Sequence, residues 1–193
     1  MNNWERALFK SIGMSRISRI IPQIPDITPS PVKGALLSTM LPSLHYLAIV
    51  AMLDEALAEY VEVNNISTMP NLLGRINAVS SVVSSIDAAM LQEIRERRNS
   101  IAHEPDSILS RPVTWDELDE AIGHVCRSIK QLGLIGDTPQ IVAFYERTPE
   151  LFLDELGPNG ERIRHKYTIG AKINDEVFME FSHEISFFPP DNS

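Results

Sequence analysis

Apolar residues between positions 35 and 134 recur with the spacing of α-helices. Pro42 suits the first turn of a helix, and the positions after it carry two apolar stripes. The first stripe consists of Leu44, Leu47, Ala48 and Ala51. The second consists of Tyr46, Ile49, Val50, Leu53, Leu57 and Tyr60. A helix that is apolar on two faces is buried on two sides. One face should therefore serve a bundle core and the other a further helix or a second subunit.

A long apolar stripe follows the turn at residues 64–70. Its members are spaced by about 3.7 residues on average, close to the helical period. They are Leu72, Ile76, Val79, Val83, Ile86, Met90 and Ile94. The unbroken phase favours one continuous helix, although residues 84–87 fit a capping box that would start a new helix. The helix should end near Glu104, because Pro105 disfavours α geometry in the residue before it.

A third helix begins after Thr114, which together with Glu117 fits the Thr-x-x-Glu capping box. Gly133 is a suitable C-terminal stop. The face expected to be buried consists of Leu118, Ile122, Val125, Ile129 and Leu132. Three strong helices thus fill most of residues 35–134, and the pattern predicts an all-α helical bundle.

The two ends of the chain have different patterns. Residues 1–34 carry five basic and two acidic side chains and four prolines between Pro22 and Pro31, which predicts an extended, basic N-terminal arm. Residues 135–193 form a C-terminal appendage that contains β-structure. There we expect a short helix over Pro149–Leu156 and a β-hairpin whose turn lies within Gly170–Asp175.

Composition narrows the classes of protein and of site. The chain has 17 Lys and Arg against 26 Asp and Glu, a net charge of −9, which is atypical of a non-specific nucleic-acid binder. A single cysteine, Cys126, excludes an internal disulfide, and burial is its simplest interpretation. The longest apolar run, Tyr46–Leu53, is far shorter than the roughly 20 residues of a membrane span. We therefore expect a cytoplasmic protein that does not contact a membrane.

Several kinds of catalytic site are excluded by motif. Gly-rich phosphate loops and the Gly-x-Ser-x-Gly elbow are absent from the sequence. No histidine has a second histidine four residues later, and His124 and Cys126 point away from each other on a predicted helix. We therefore expect no metal and no cofactor.

Basic side chains cluster at the end of the second predicted helix, at Arg95, Arg97, Arg98 and His103. Arg97 lies about 25° from the centre of the apolar stripe, so it should have a partner. One interpretation pairs it with Glu93 four residues earlier and leaves His103 to complement the negative helix end. The other assigns Arg95 and Arg97 to RNA phosphates and His103 to proton transfer.

The hexapeptide Arg98-Asn99-Ser100-Ile101-Ala102-His103 matches the Arg-polar-x3-His signature and resembles that of HEPN domains. These are small all-α bundles of bacterial defence and toxin–antitoxin systems, and the resemblance covers roughly residues 35–133. It implies a metal-independent endoribonuclease that cleaves RNA through attack by the ribose 2′-OH. By this resemblance, His103 is the acid–base group, Arg98 binds the phosphate and Asn99 positions one of them. Family members also include non-catalytic dimers that act as interaction or ligand-binding modules, which is the alternative function.

The resemblance also implies a homodimer, and helical geometry gives a separate reason for one. Residues 98 and 103 of a straight helix are separated by about 140° of rotation, so they do not converge on one phosphate. They can do so if the helix loosens before Pro105 or if a two-fold partner supplies the second residue. The second stripe of the helix after Pro42 offers a surface for that partner. An antitoxin protein is a further expected partner.

Overall fold

The computed structural model describes residues 3–24, 31–104, 107–154 and 162–185. The chain forms two compact units, Met1–Pro139 and Gln140–Ser193. The helices of the first unit are α1 Asn3–Ile20, α2 Pro31–Val63, α3 Leu72–Val82, α4 Ala88–His103, α5 Ser107–Ser110 and α6 Trp115–Gln131, and a 3-10 turn spans Ile21–Gln23. The strands of the second unit are β1 Ile141–Asp154, β2 Arg162–Ile173 and β3 Glu176–Ile185. The protein is thus mostly helical with a small C-terminal β-sheet, as the sequence predicts.

Helix α2 is the centre of the helical unit. It packs against α1, α3, α4 and α6. Residues Gly34–Val63 are long and apolar enough to cross a membrane by length and composition alone. About 33% of this apolar window is buried in the helical unit, so packing against the other helices covers part of its apolar surface.

The two stripes of α2 are not used as the sequence analysis expects. Tyr46, Ile49, Leu53 and Leu57 of the second stripe are buried inside the unit. The prediction that this stripe receives a partner subunit is therefore wrong. The first stripe is the more open one, with Leu44 48% exposed. Pro42 lies inside α2 rather than at its start.

The N-terminal segment is helical, so the predicted extended arm is wrong over Asn3–Gln23 and also over residues 31–34, where α2 has begun. The prolines that suggested the arm begin at Pro22, and no helix breaker precedes it after Asn3 except Gly13. Apolar side chains of α1 such as Leu8 and Ile12 are buried. Residues 25–30, which include Pro25 and Pro29, lie outside the described part of the chain.

Charged side chains join α1 to α6. Arg19 Nη1 donates to Asp119 Oδ2 at 2.8 Å, and Arg16 pairs with the other oxygen of the same carboxylate. Trp4 at the other end of α1 donates from its indole to Glu59 of α2. Arg16 and Arg19 therefore hold α1 to α6.

The long second helix is interrupted. Helix α3 ends at Val82, and α4 begins at Ala88 with the Asp87 carboxylate accepting from the Met90 N–H at 3.0 Å. The predicted continuity is wrong, and the new helix starts from Asp87 rather than from a Ser84 cap. Ile86, within the interruption, is nevertheless buried. The regular spacing of apolar residues continues across the interruption because the turn keeps Ile86 facing the core.

The predicted boundaries of the other helix ends are confirmed. Helix α4 ends with Glu104 as its cap. Thr114 Oγ1 accepts from the Glu117 N–H at 3.1 Å, and the five positions expected to be buried on α6 are all buried. Gly133 adopts φ of 71° and donates to the Lys130 carbonyl, as a glycine at this place should.

The second unit contains an antiparallel sheet in the order β1-β2-β3. Asn174 and Asp175, both with positive φ, connect β2 to β3, which confirms the predicted hairpin. The predicted helix over Pro149–Leu156 is wrong as far as Asp154, because β1 pairs with β2 there. An edge strand can accept the proline, since its missing N–H need not enter the ladder. Residues 155–161 lie outside the described part.

Replacing Asp87 with Ala should lower the free energy of unfolding by about 1 kcal/mol, because the Met90 N–H loses its capping acceptor. Ser84→Ala is the matched control, and we expect it to leave stability unchanged. Urea denaturation of both variants measures the difference. A larger loss in Ser84→Ala than in Asp87→Ala contradicts this assignment of the cap.

Stability should fall as the pH decreases below 6.5, through His45. Its Nε2 lies 2.8 Å from Ser18 Oγ of α1, and burial lowers the pKa of His45 from its ordinary 6.5. The unfolded chain therefore binds a proton at a higher pH than the folded one, which favours unfolding between 6.5 and the lowered value. Thermal unfolding from pH 7.5 to 5 measures the slope. His45→Gln should reduce it and His124→Gln should not.

Candidate functional site

Helix α4 carries all five residues that the sequence analysis selected. Leu91, Ile94 and Ile101 are buried and fix this helix in the bundle. The remaining faces of its second half point in different directions. As a result, the selected polar residues lie in three different environments.

Arg95, Arg98 and Asn99 line a pocket of about 540 Å³, here called the Arg98 pocket. Its second wall comes from one face of α2, and its third wall from the segment that leads into α3. The other lining residues are Val50, Ala51, Asp54, Glu55, Pro70, Asn71, Leu72 and Leu73. The structure therefore brings together three of the five predicted residues and adds acidic and apolar walls.

The side chains of the Arg98 pocket are partly committed to one another. Arg98 Nη1 donates to Asn99 Oδ1 at 3.0 Å. Arg95 Nη1 lies 3.9 Å from Glu96 Oε1, too far for a hydrogen bond. A guanidinium has five N–H donors, so Arg98 keeps most of its donors for an anion such as a phosphate. The amide oxygen of Asn99 thus holds one corner of that guanidinium.

His103 lies in the exposed last turn of α4 and is not among the described residues that line the Arg98 pocket. The helix is regular up to His103, so it does not loosen in a way that turns the imidazole towards Arg98. About 140° of rotation separates the two positions on such a helix. One chain alone therefore does not direct Arg98 and His103 to the same phosphate.

Arg97 has a different environment from its neighbour Arg98. Its Nε lies 2.6 Å from Glu117 Oε1 of α6, and its Nη2 donates to the Arg111 carbonyl at 2.9 Å. The side chain is only 10% exposed, and its Nη1 is buried without a hydrogen-bond partner among the described residues. The expectation that this core-facing arginine needs a partner is confirmed, but the partner is Glu117 rather than Glu93.

The position of Arg97 gives it a structural role. It lines a smaller pocket of about 310 Å³ between α4 and α6, together with Tyr46 and Glu117. Burial, reinforced by the negative charge of Glu117, raises the pKa of Tyr46, which stays neutral. The predicted contact of Arg97 with RNA stays untested, and its geometry favours a bond between two helices.

A thiol nucleophile and a metal centre are the other kinds of site to consider in this unit. Cys126 is buried, and burial raises the pKa of its thiol to about 11, so the reactive thiolate is not formed at neutral pH. Among the residues that the structure describes, no three His, Cys, Asp or Glu side chains are grouped so as to hold a metal ion.

The acidic and apolar walls of the Arg98 pocket escaped the sequence analysis. Asp54 and Glu55 look like ordinary surface acids of α2, and Leu72 and Leu73 look like the start of a core stripe. Only the packing of α2 and α3 against α4 places them around Arg98.

Comparison with known proteins adds no family: no family model, curated protein or solved structure matches this chain.

Arg97→Ala should lower the free energy of unfolding by about 2 kcal/mol, because Glu117 and the Arg111 carbonyl lose their donor. Arg98→Ala is the matched control from the next position, and its effect should stay within about 0.5 kcal/mol. Chemical denaturation measures both. Equal stabilities of the two variants contradict the structural role of Arg97.

Proposed function

We propose that this protein is a metal-independent endoribonuclease of the HEPN type that works as a homodimer. The observation that carries the proposal is the placement of Arg98 and Asn99 in an open pocket, with His103 exposed at the end of the same bundle helix. A guanidinium for the phosphate and an imidazole for proton transfer are the groups that RNA cleavage without metal requires. The resemblance of residues 98–103 to the HEPN signature supports the proposed family.

The reaction needs no group beyond the RNA itself and these side chains. The ribose 2′-oxygen attacks the adjacent phosphorus while an imidazole accepts its proton. The bond to the 5′-oxygen then breaks, and that oxygen takes a proton, which leaves a 2′,3′-cyclic phosphate and a 5′-hydroxyl. Arg98 stabilises the charge that builds up on the phosphorane oxygens. His103 accepts the proton of the 2′-hydroxyl and then donates a proton to the 5′-oxygen.

A second copy of the chain resolves the separation of Arg98 and His103. Two-fold symmetry brings His103 of the partner subunit towards the Arg98 pocket and creates two equal composite sites. The open stripe of α2 offers a surface beside that pocket. Leu36 and Leu44 are about half exposed, and Ala51, seven residues after Leu44 on the same face, lines the pocket itself.

The charge distribution limits where RNA is bound. The chain has a net charge of −9, so most of its surface repels RNA. Arg16 and Arg19 are engaged by Asp119, and Arg97 by Glu117. Of the basic residues that the sequence analysis selected on α4, Arg95, Arg98 and His103 remain for the RNA. Such a confined contact suits a cytoplasmic toxin or phage-defence effector. Its acidic surface would prevent general RNA binding, and an antitoxin protein would inhibit it further.

The second candidate function is a non-catalytic dimer that acts as an interaction or ligand-binding module. The observation that favours it is the exposure of His103 outside the pocket, because one chain then offers an anion site without an acid–base group. This protein would bind RNA or a nucleotide at Arg98 without cleaving it.

The purified protein should cleave RNA in the presence of a chelator, and Arg98→Ala and His103→Ala should each reduce the rate by at least about 100-fold. An equimolar mixture of the two variants, denatured and refolded together, should recover about a quarter of the wild-type activity. Half of the dimers are then mixed, and each mixed dimer has one complete site. Gel analysis of RNA fragments measures the rates.

Arg127→Ala, which removes an exposed arginine of α6, is the control and should leave the rate unchanged. Expression of the wild type should arrest growth, and both site variants should relieve the arrest. Intact RNA over a broad set of substrates, with variants that behave like the wild type, would falsify the nuclease. Cleavage without recovery in the mixture contradicts the composite site and leaves a site within one chain.

A further inference from the structure

The Arg98 pocket has walls of opposite charge. Arg95 and Arg98 of α4 form the basic wall, and Asp54 and Glu55 of α2 form the acidic wall. An RNA phosphate accounts for the basic wall only. An acidic wall repels phosphates, so a pocket built only for the RNA backbone has no use for it.

The two acids of this wall differ in their availability. Asp54 is held by Arg75 of α3, with Oδ1 2.5 Å from Nη1. Glu55 is exposed and makes no hydrogen bond or ion pair within the described chain. Both carboxylate oxygens of Glu55 are therefore available to a ligand, whereas Asp54 already has one oxygen engaged by Arg75.

Apolar side chains form part of the lining of the pocket. Pro70, Leu72 and Leu73 line it at the start of α3, and Val50 lies on the α2 side. A volume of about 540 Å³ falls within the range of small-molecule sites. The pocket thus offers a charge for a phosphate, an apolar surface for a base and a carboxylate for the edge of that base.

We propose that the Arg98 pocket holds one nucleotide of the RNA and that Glu55 selects guanine, an inference that rests on the proposed RNA-cleaving function. Guanine presents N1–H and N2–H side by side, and a carboxylate accepts both at once. Adenine and cytosine place a ring nitrogen acceptor beside their single amino group, and uracil places carbonyl oxygens on both sides of its N3–H. Those acceptors repel the carboxylate, so guanine is the base that fits.

Binding of single nucleotides tests this inference without any need for cleavage. Guanosine, adenosine, cytidine and uridine monophosphates are titrated into the wild-type protein and followed by calorimetry. Guanosine monophosphate should bind about tenfold more tightly than the others. Glu55→Gln should abolish this preference, because an amide offers one acceptor and opposes the second donor. Glu62→Gln, an exposed acid on the same helix outside the pocket, is the matched control and should keep it.

Arg98→Ala distinguishes the contribution of the basic wall from that of the acidic wall. It should weaken the binding of all four nucleotides by a similar factor. Equal binding of the four nucleotides by the wild type, or a guanine preference that survives Glu55→Gln, overturns the inference. RNA of mixed sequence is digested in parallel and its cleavage sites are mapped. Intact RNA with a guanine preference refutes the nuclease but not the guanine site, whereas cleavage with equal nucleotide binding refutes the guanine site alone.

Discussion

The burial of α2 on several sides is the constraint on which the helical unit depends. A helix of 33 residues with apolar side chains on more than one face cannot be covered by a single neighbour. Helices α1, α3, α4 and α6 supply the cover, and their positions follow from it. The Arg98 pocket lies where α2 passes from contact with α3 to contact with α4. Its three walls therefore follow from the packing of these helices around the core.

The same packing gives two adjacent arginines separate roles. Consecutive residues of a helix point about 100° apart, so a helix that packs against α6 on one side cannot present Arg97 and Arg98 to the same surroundings. Arg97 faces α6 and pairs with Glu117, whereas Arg98 faces the pocket beside α2 and donates to Asn99. The number of basic residues in one stretch of sequence therefore does not predict how many of them can contact a ligand.

The sequence correctly predicted the features that depend on interactions between neighbouring residues, such as helix caps, helix ends and turns. The Thr114 cap, the Gly133 stop and the Asn174 turn depend on neighbouring residues, and all three agree with the structure. The break before Asp87 was missed because apolar spacing reports which side chains face the core and not whether the backbone between them is helical. The partner of Arg97 and the acids beside Arg98 come from other helices. Their positions depend on tertiary packing, which no pattern along one chain contains.

The C-terminal sheet has a consequence for how the protein behaves in concentrated solution. In its order of three strands, β1 and β3 are both edges, and Val177 and Phe181 on β3 are half exposed. Edge strands of this kind offer backbone groups to any other strand and promote unordered self-association. The pair proposed through the helices is closed, whereas association through the strand edges is open-ended, so the two differ in symmetry. Size alone does not separate them, whereas the dependence of size on concentration does, because a closed pair reaches a plateau.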